Sequence, residues 1–455
     1  MNKEFLVESM SHGAYAIATD SESGKKIFVE NACPGDVLDL EIYDERKDFS
    51  FAHISEVLTE SDLREEDPKC KLHKICGSCQ WQHVKYDEQL NFKKKNLIDL
   101  LKQNQVDLSL VGDLDGNVSI TGLDEPWHYR NKVIYPVSSV KSTGRVLAGY
   151  YKRKSNELIN IKYCPIQYSI FDEIIDRLKE LCTEYTISDP LMRHMLLRAS
   201  HDQSEVLISF IVRGKLLDKK QRAAIRTIFE KIYSEYEQIK VCTLNINDDS
   251  TNVILGPETE LIVGERDFIY DQIKNVTVKI STSSFFQINN KQFCNILNAF
   301  EGHTENIKPH KVLDAYAGLG SISLNLAKDL PETQFYAFEI NSSAVTDALE
   351  NIKENNLTNL NFMEASAEEY FQSHDKEFDL IILNPPRKGC TNKVLDALMR
   401  RKELKDILYL SCNPATLARD IKYLEKKSNF RVQSIKAFDM FPHSFHLETL
   451  VKLTR

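Results

Sequence analysis

A cysteine that ends an apolar strand and is followed at once by an Asn-Pro turn is placed for covalent chemistry. Cys412 stands so in YLSCNPATLARD, Tyr409 to Asp420. The helix amino terminus that begins there carries partial positive charge, which lowers a thiol's pKa and makes it a better nucleophile. The ordinary alternative is a buried thiol acting as a small hydrophobe. Other cysteines have the spacing of ligands. Cys70, Cys76 and Cys79 in CKLHKICGSCQWQHV form C-x5-C-x2-C, and Cys164 follows far along in KYCPIQ. Three thiolates so close in sequence can converge on one inorganic centre, with a distant fourth closing it. Structural zinc also takes four thiolates, although its commoner signature is two close C-x2-C pairs, which this chain lacks. Cys33, Cys182, Cys242, Cys294 and Cys390 have no partner spacing and read as core or surface thiols.

A third group of residues suits a nucleoside. In KVLDAYAGLGS an apolar strand runs into a turn containing Gly318 and Gly320, where the missing side chains let backbone approach a ligand at a helix amino terminus. Glu339 ends the next strand in YAFEINS, where a carboxylate can accept both hydroxyls of a ribose. Ser323 replaces the third glycine of a dinucleotide fingerprint, and DLIILNPPRKG closes a later strand. Together these favour S-adenosylmethionine over a nicotinamide cofactor, in a class I methyltransferase domain.

The elements that must position these residues follow from pattern and length. With 455 residues and 42% hydrophobic content the chain is long enough for about three domains with real cores. Residues 1–58 show short alternating segments broken by SHG, SESGK and CPGD, which predicts a small five-stranded barrel of a kind that often binds oligonucleotides. Residues 59–264 mix strands such as SEVLISFIVRG with amphipathic helices such as IFDEIIDRLKELCTEY, which predicts an α+β middle domain. From about 265 to 455 strict β/α alternation predicts a doubly wound, mainly parallel sheet. No apolar run is long enough to span a membrane, no secretory or transit pattern opens the chain, and a cytosolic protein is expected, in which ten cysteines do not form disulfides. The net charge of −9 argues mildly against nucleic acid, but NFKKKN, YRNK and YYKRK are local basic clusters, two of them interleaved with aromatics.

In this order, SSFFQINN, DAYAGLGS, NPPRKG, LYLSCNPATLARD and DMFPHSFHLETL resemble the RNA uracil-5 methyltransferase family. The first 58 residues resemble its TRAM barrel and YRNK a motif of its middle domain, so the likeness spans nearly the whole chain. It implies that Gln287, Tyr316, Glu339 and Asn384 contact S-adenosylmethionine, that Cys412 is the nucleophile and that Glu448 is the general base. The family usually has aspartate where Asn384 stands; asparagine keeps the shape and loses the charge. The ribosomal branch carries a [4Fe-4S] cluster on the spacing of Cys70, Cys76, Cys79 and Cys164. Barrel and cluster together imply ribosomal RNA, of the large subunit, as substrate, and a monomer is expected.

The chemistry makes its own sense of these residue types. Carbon 5 of uracil is too poor a nucleophile to take a methyl group unaided. A thiolate adding to carbon 6 turns the ring into an enolate whose charge reaches carbon 5. A carboxylate must then remove the proton from carbon 5 so that sulfur can leave, and apolar neighbours in HSFHLETLVKL would raise the pKa of Glu448 toward that use. Arg387 is a neighbour for the pyrimidine or its phosphate, or else a surface ion-pair partner; His443 and His446 are given no role. Two other readings stand beside this one. An amino-group methylase would use Asn384 directly and need no cysteine, and a non-catalytic RNA-binding factor would keep the fold with an impaired site.

Overall fold

The computed structural model describes residues 4–251 and 253–455, which fall into two compact units. One takes the chain as far as Pro126 together with Pro385–Thr391 and Tyr409–Arg455; the other takes Trp127–Asn384 and Asn392–Leu408. Among the described residues no helix is long and apolar enough to cross a membrane.

The first unit opens with five strands, Glu4–Met10, Tyr15–Thr19, Lys26–Glu30, Val37–Glu45 and Phe49–Thr59, closed into a barrel in which the fifth lies between the third and the fourth. Alternation explains it: Phe5 and Val7, Ala16 and Ala18, Ile27 and Val29 turn inward on successive strands and pack with Leu38, Ala52 and Trp81. The small five-stranded barrel expected in the first part of the chain is present, with strands from Glu4 to Thr59; residues 1–3 of the expected span lie outside the described residues. From Lys85 the chain enters the helix Tyr86–Gln103, which buries Leu97, Ile98 and Leu101. Further on, the short strand Ser119–Thr121 pairs in parallel with Arg431–Phe438, itself antiparallel to Glu448–Thr454. No sequence pattern announces that a three-residue strand closes a sheet formed some 300 residues later.

The second unit contains a seven-stranded sheet, largely antiparallel, with helices Ile170–Glu184 and Lys219–Glu235. Strict β/α alternation does not begin at 265 as expected. Phe268–Ile273 and Val276–Ser281 form an antiparallel hairpin whose two-residue loop has Lys274 at φ 51°, the conformation a tight hairpin turn requires. Alternation starts at Lys311. From there the parallel strands Lys311–Ala315, Gln334–Glu339, Leu360–Glu364 and Leu380–Leu383 lie in the spatial order third, second, first, fourth, followed by Asp406–Ser411. The order therefore reverses direction between Lys311–Ala315 and Leu380–Leu383, and in such sheets ligands bind at the carboxyl ends flanking that reversal.

Candidate active site

Cys412 follows the buried strand Asp406–Ser411 and precedes the helix Pro414–Lys427. Asn413 caps that helix, its side-chain oxygen accepting from the Ala415 N–H at 3.1 Å, while Pro414 supplies a first helical residue with no N–H to satisfy. The same helix holds the turn PPRKGC. Asn413 Nδ2 and Thr416 Oγ1 donate to the Arg387 carbonyl at 3.0 and 3.1 Å, Arg419 Nη2 donates to the Lys388 carbonyl at 2.9 Å, and buried Asp420 accepts from the Cys390 N–H at 2.8 Å. Gly389 must be glycine: it sits at φ 73°, and a Cβ there would lie 2.5 Å from Asp420 Oδ2. Spacing along NPATLARD thus puts its polar side chains on the turn that carries Arg387.

Cys412 and Arg387 line a cavity of about 270 Å³ with Lys93, Asn96, Phe445 and His446. Glu448, at the start of its strand and next in the chain to the lining residue Leu447, is buried; desolvation pushes its carboxyl up to about 8, against a smaller downward pull from Arg387. The upward shift expected for Glu448 is therefore present. For Cys412 the expectation is reversed. The thiol is pushed up, first by burial and then by the Glu448 charge, and the Arg387 guanidinium offsets only part of this. Burial outweighs the lowering contacts because a half-buried thiolate loses more hydration than Arg387 and one backbone hydrogen bond return.

The neighbourhood also contains an ion pair that sequence reading missed. Lys93 Nζ donates to Asp439 Oδ1 at 2.6 Å with both side chains wholly buried. Lys93 belongs to the basic cluster NFKKKN, in which Lys95 is exposed and Lys94 half-buried but Lys93 is not exposed at all. A lysine on the apolar stripe that also contains Leu97 and Leu101 was the available signal. His443 accepts and donates structurally: its N–H reaches Gln89 Oε1 at 3.0 Å, and its ring nitrogens face Gln89 Nε2 and the Pro126 carbonyl.

In the second unit the register places Tyr316, Glu339 and Asn384 side by side. Ala315 pairs with both Phe338 and Leu383, so the next residue of each strand emerges at one edge, astride the reversal of strand order. Glu339 Oε2 accepts from the Gly318 N–H at 3.0 Å, and its other oxygen accepts from the Ile340 and Asn341 N–H groups. Gly318, at φ 60°, has open space where a Cβ would stand, and Gly320 at φ 81° caps the helix Ser321–Asp329. Open backbone, an acid at the second strand end and a helix amino terminus fit an adenosyl group. Gln287 lies on the connection ahead of the helix Asn290–Ile307, and its carbonyl accepts from Asn131 of YRNK at 3.0 Å. Phe285 and Ile340, 66% and 67% exposed, were passed over in the sequence; a large apolar residue directly after the strand-end acid was the signal.

Cys70, Cys76 and Cys79 lie on the irregular segment before Lys85 in the first unit, the latter two buried, and Cys164 belongs to the second unit, also buried. Burial, followed by the charge of Cys76, pushes the Cys70 thiol up. Among the described residues no group of three or more His, Cys, Asp or Glu forms a metal-holding set.

Comparison with known proteins bears on both halves of this arrangement. The profile of the tRNA (uracil-5-)-methyltransferase family matches residues 85–455. An uncharacterized RNA methyltransferase of Bacillus cereus is 33% identical over 99% of this chain and 96% of the relative, and one of Listeria innocua is 32% identical over 99% and 97%. The crystal structure of the Pyrococcus abyssi tRNA (uracil-54, C5)-methyltransferase in complex with S-adenosyl-L-homocysteine superposes with a TM-score of 0.77 over 99% of both chains, at 27% identity.

Proposed function

Because this chain belongs to the tRNA (uracil-5-)-methyltransferase family, and is an S-adenosylmethionine-dependent RNA uracil-5 methyltransferase, we propose that Cys412 and Glu448 carry its chemistry. The observation that supports this most is the electrostatic coupling of Cys412, Arg387 and Glu448 beside one cavity large enough for a pyrimidine ring. The Cys412 sulfur bonds to carbon 6 and the electron pair of the 5,6 double bond moves onto the ring as an enolate. S-Adenosylmethionine supplies the methyl group that carbon 5 takes, and Gln287, Tyr316, Glu339 and Asn384 are proposed to hold it. Glu448, ionised, then removes the proton from carbon 5, the sulfur–carbon bond breaks toward sulfur, and the double bond re-forms. Both groups rest protonated near neutral pH, so each gives its proton to solvent before the uracil closes the cavity; Arg387 is placed to stabilise the thiolate.

The substrate is proposed to be large-subunit ribosomal RNA, the uridine being flipped out of its stack at a cost of a few kcal/mol that backbone contacts offset. The Pyrococcus abyssi protein acts on transfer RNA, which favours a second reading with the same chemistry. Residues 1–58 are proposed as a TRAM-type RNA-binding barrel, 59–264 as the central domain and 265–455 as the methyltransferase domain. Cys70, Cys76, Cys79 and Cys164 are proposed to bind a [4Fe-4S] cluster of structural purpose. The support is donor chemistry: three thiols on one segment, two of them buried. Anaerobically purified protein should contain iron and inorganic sulfide, and stoichiometric zinc would reject the cluster.

Two experiments test the whole. Cys412→Ala should abolish both methylation and the covalent adduct with 5-fluorouridine-substituted RNA; survival of methylation would mean amino-group chemistry instead. Mapping 5-methyluridine in ribosomal and transfer RNA of cells with and without the protein separates the two substrates.

A further inference from the structure

Two histidines three residues apart in HSFH have opposite fates. His443 spends both ring nitrogens on Gln89 and the Pro126 carbonyl. His446 lines the cavity of Cys412, yet neither of its ring nitrogens has a hydrogen-bond partner among the described residues. Its ring is held by apolar faces alone, with centroids 4.2 Å from Phe445 and 5.8 Å from Phe441. Burial, then Arg387 and Lys93, pushes the imidazole down to about 4, so at neutral pH it offers one N–H and one lone pair. An oriented polar group with no internal obligation, facing the same space as the nucleophile, is what a substrate contact looks like before substrate arrives.

Resting on the reading of Cys412 as nucleophile, we propose that His446 is a further catalytic residue whose imidazole N–H donates to the oxygen on carbon 4 of the flipped uracil. When sulfur bonds to carbon 6, the displaced electron pair reaches that oxygen through carbon 5. The N–H holds the resulting anion, and its proton stays on the ring throughout. The charge returns to carbon 5 as that atom takes the methyl group. A neutral donor suits this task because Arg387 already supplies positive charge to the cavity. Cytosine presents an amino group at the same position, donor against donor, so the contact also selects the base.

The test uses the full chain, RNA from cells lacking the protein, and 5-fluorouridine-substituted transcripts of the same RNA. His446→Ala should slow single-turnover methylation about 100-fold, as loss of one such donor does, with S-adenosylhomocysteine affinity by calorimetry unchanged. His446→Gln, which keeps an N–H, should lie within about tenfold of the unmodified chain, and free imidazole should partly restore the alanine variant. The proposal is overturned if the alanine variant turns over at the original rate. It is equally overturned if glutamine and added imidazole give no recovery, or if both variants lose S-adenosylhomocysteine, which would mark a structural role. Absence of an adduct with the unsubstituted chain would sink the Cys412 reading instead, and this proposal with it.

Discussion

Asn413 Nδ2 donates to the Arg387 carbonyl at 3.0 Å, tying the turn that bears the arginine to the cap of the helix beside Cys412. One side chain thus performs two tasks, since its oxygen also caps the helix. The two can be separated. Asn413→Asp keeps the cap and sets a carboxylate against the carbonyl it used to bind; methylation should fall about tenfold, the effect of losing roughly 1.4 kcal/mol of positioning, with little change in melting temperature. Asn413→Ala loses both contacts and should also cost about 1–2 kcal/mol in urea unfolding.

With Glu448 as the proposed base, stability and activity should respond to pH in opposite senses. Its carboxyl holds a proton to about pH 8 when folded, against an ordinary 4.5. The contribution to stability is therefore fully present below pH 4.5 and is lost as pH rises through 8. Glu448→Gln is neutral throughout, so its stability relative to the original chain should grow between pH 5 and pH 9 by on the order of a few kcal/mol, read from thermal melts in parallel buffers. In the proposed mechanism proton removal from carbon 5 needs ionised Glu448, so the original enzyme should speed up over the same range. The glutamine variant should accumulate methylated RNA still bonded to Cys412, visible as a band resistant to denaturing gels.

Lys93 and Asp439 neutralise each other out of contact with water. Lys93→Met should destabilise the fold by about 3–5 kcal/mol, because Asp439 is left charged and unpaired. Adding Asp439→Asn should recover most of that loss. Chemical denaturation of the two variants settles the matter; equal stability of single and double variants would show the pair to be inert.

Gly320→Ala should impair the other half of the chemistry. Its φ of 81° costs an alanine about 1–2 kcal/mol, and the new Cβ would meet Phe362 at 3.0 Å. Affinity for S-adenosylhomocysteine should drop at least tenfold by calorimetry, while alkylation of Cys412 by a small thiol reagent proceeds at its original rate.

Much of this could be read from the chain because the signals were local. The barrel is written in alternating residues between turn signals, and Gly318, Gly320 and Glu339 in the strand-and-turn grammar of parallel sheets. What escaped reading depends on distance. The partner of Lys93 is 346 residues away and the strand beside Ser119–Thr121 comes far later, so neither pairing shows in the local pattern. The thiol of Cys412 illustrates the same limit: a local rule gave the wrong sign because burial by remote segments decides the outcome.

The walls around Cys412 come from both ends of the chain: Lys93 and Asn96 before Pro126, Cys412 and His446 after Leu408. A ribosome making this protein therefore delivers one half of the pocket hundreds of residues before the other. Until translation is nearly finished the nascent polypeptide cannot enclose the proposed nucleophile, and prematurely terminated products should be catalytically silent.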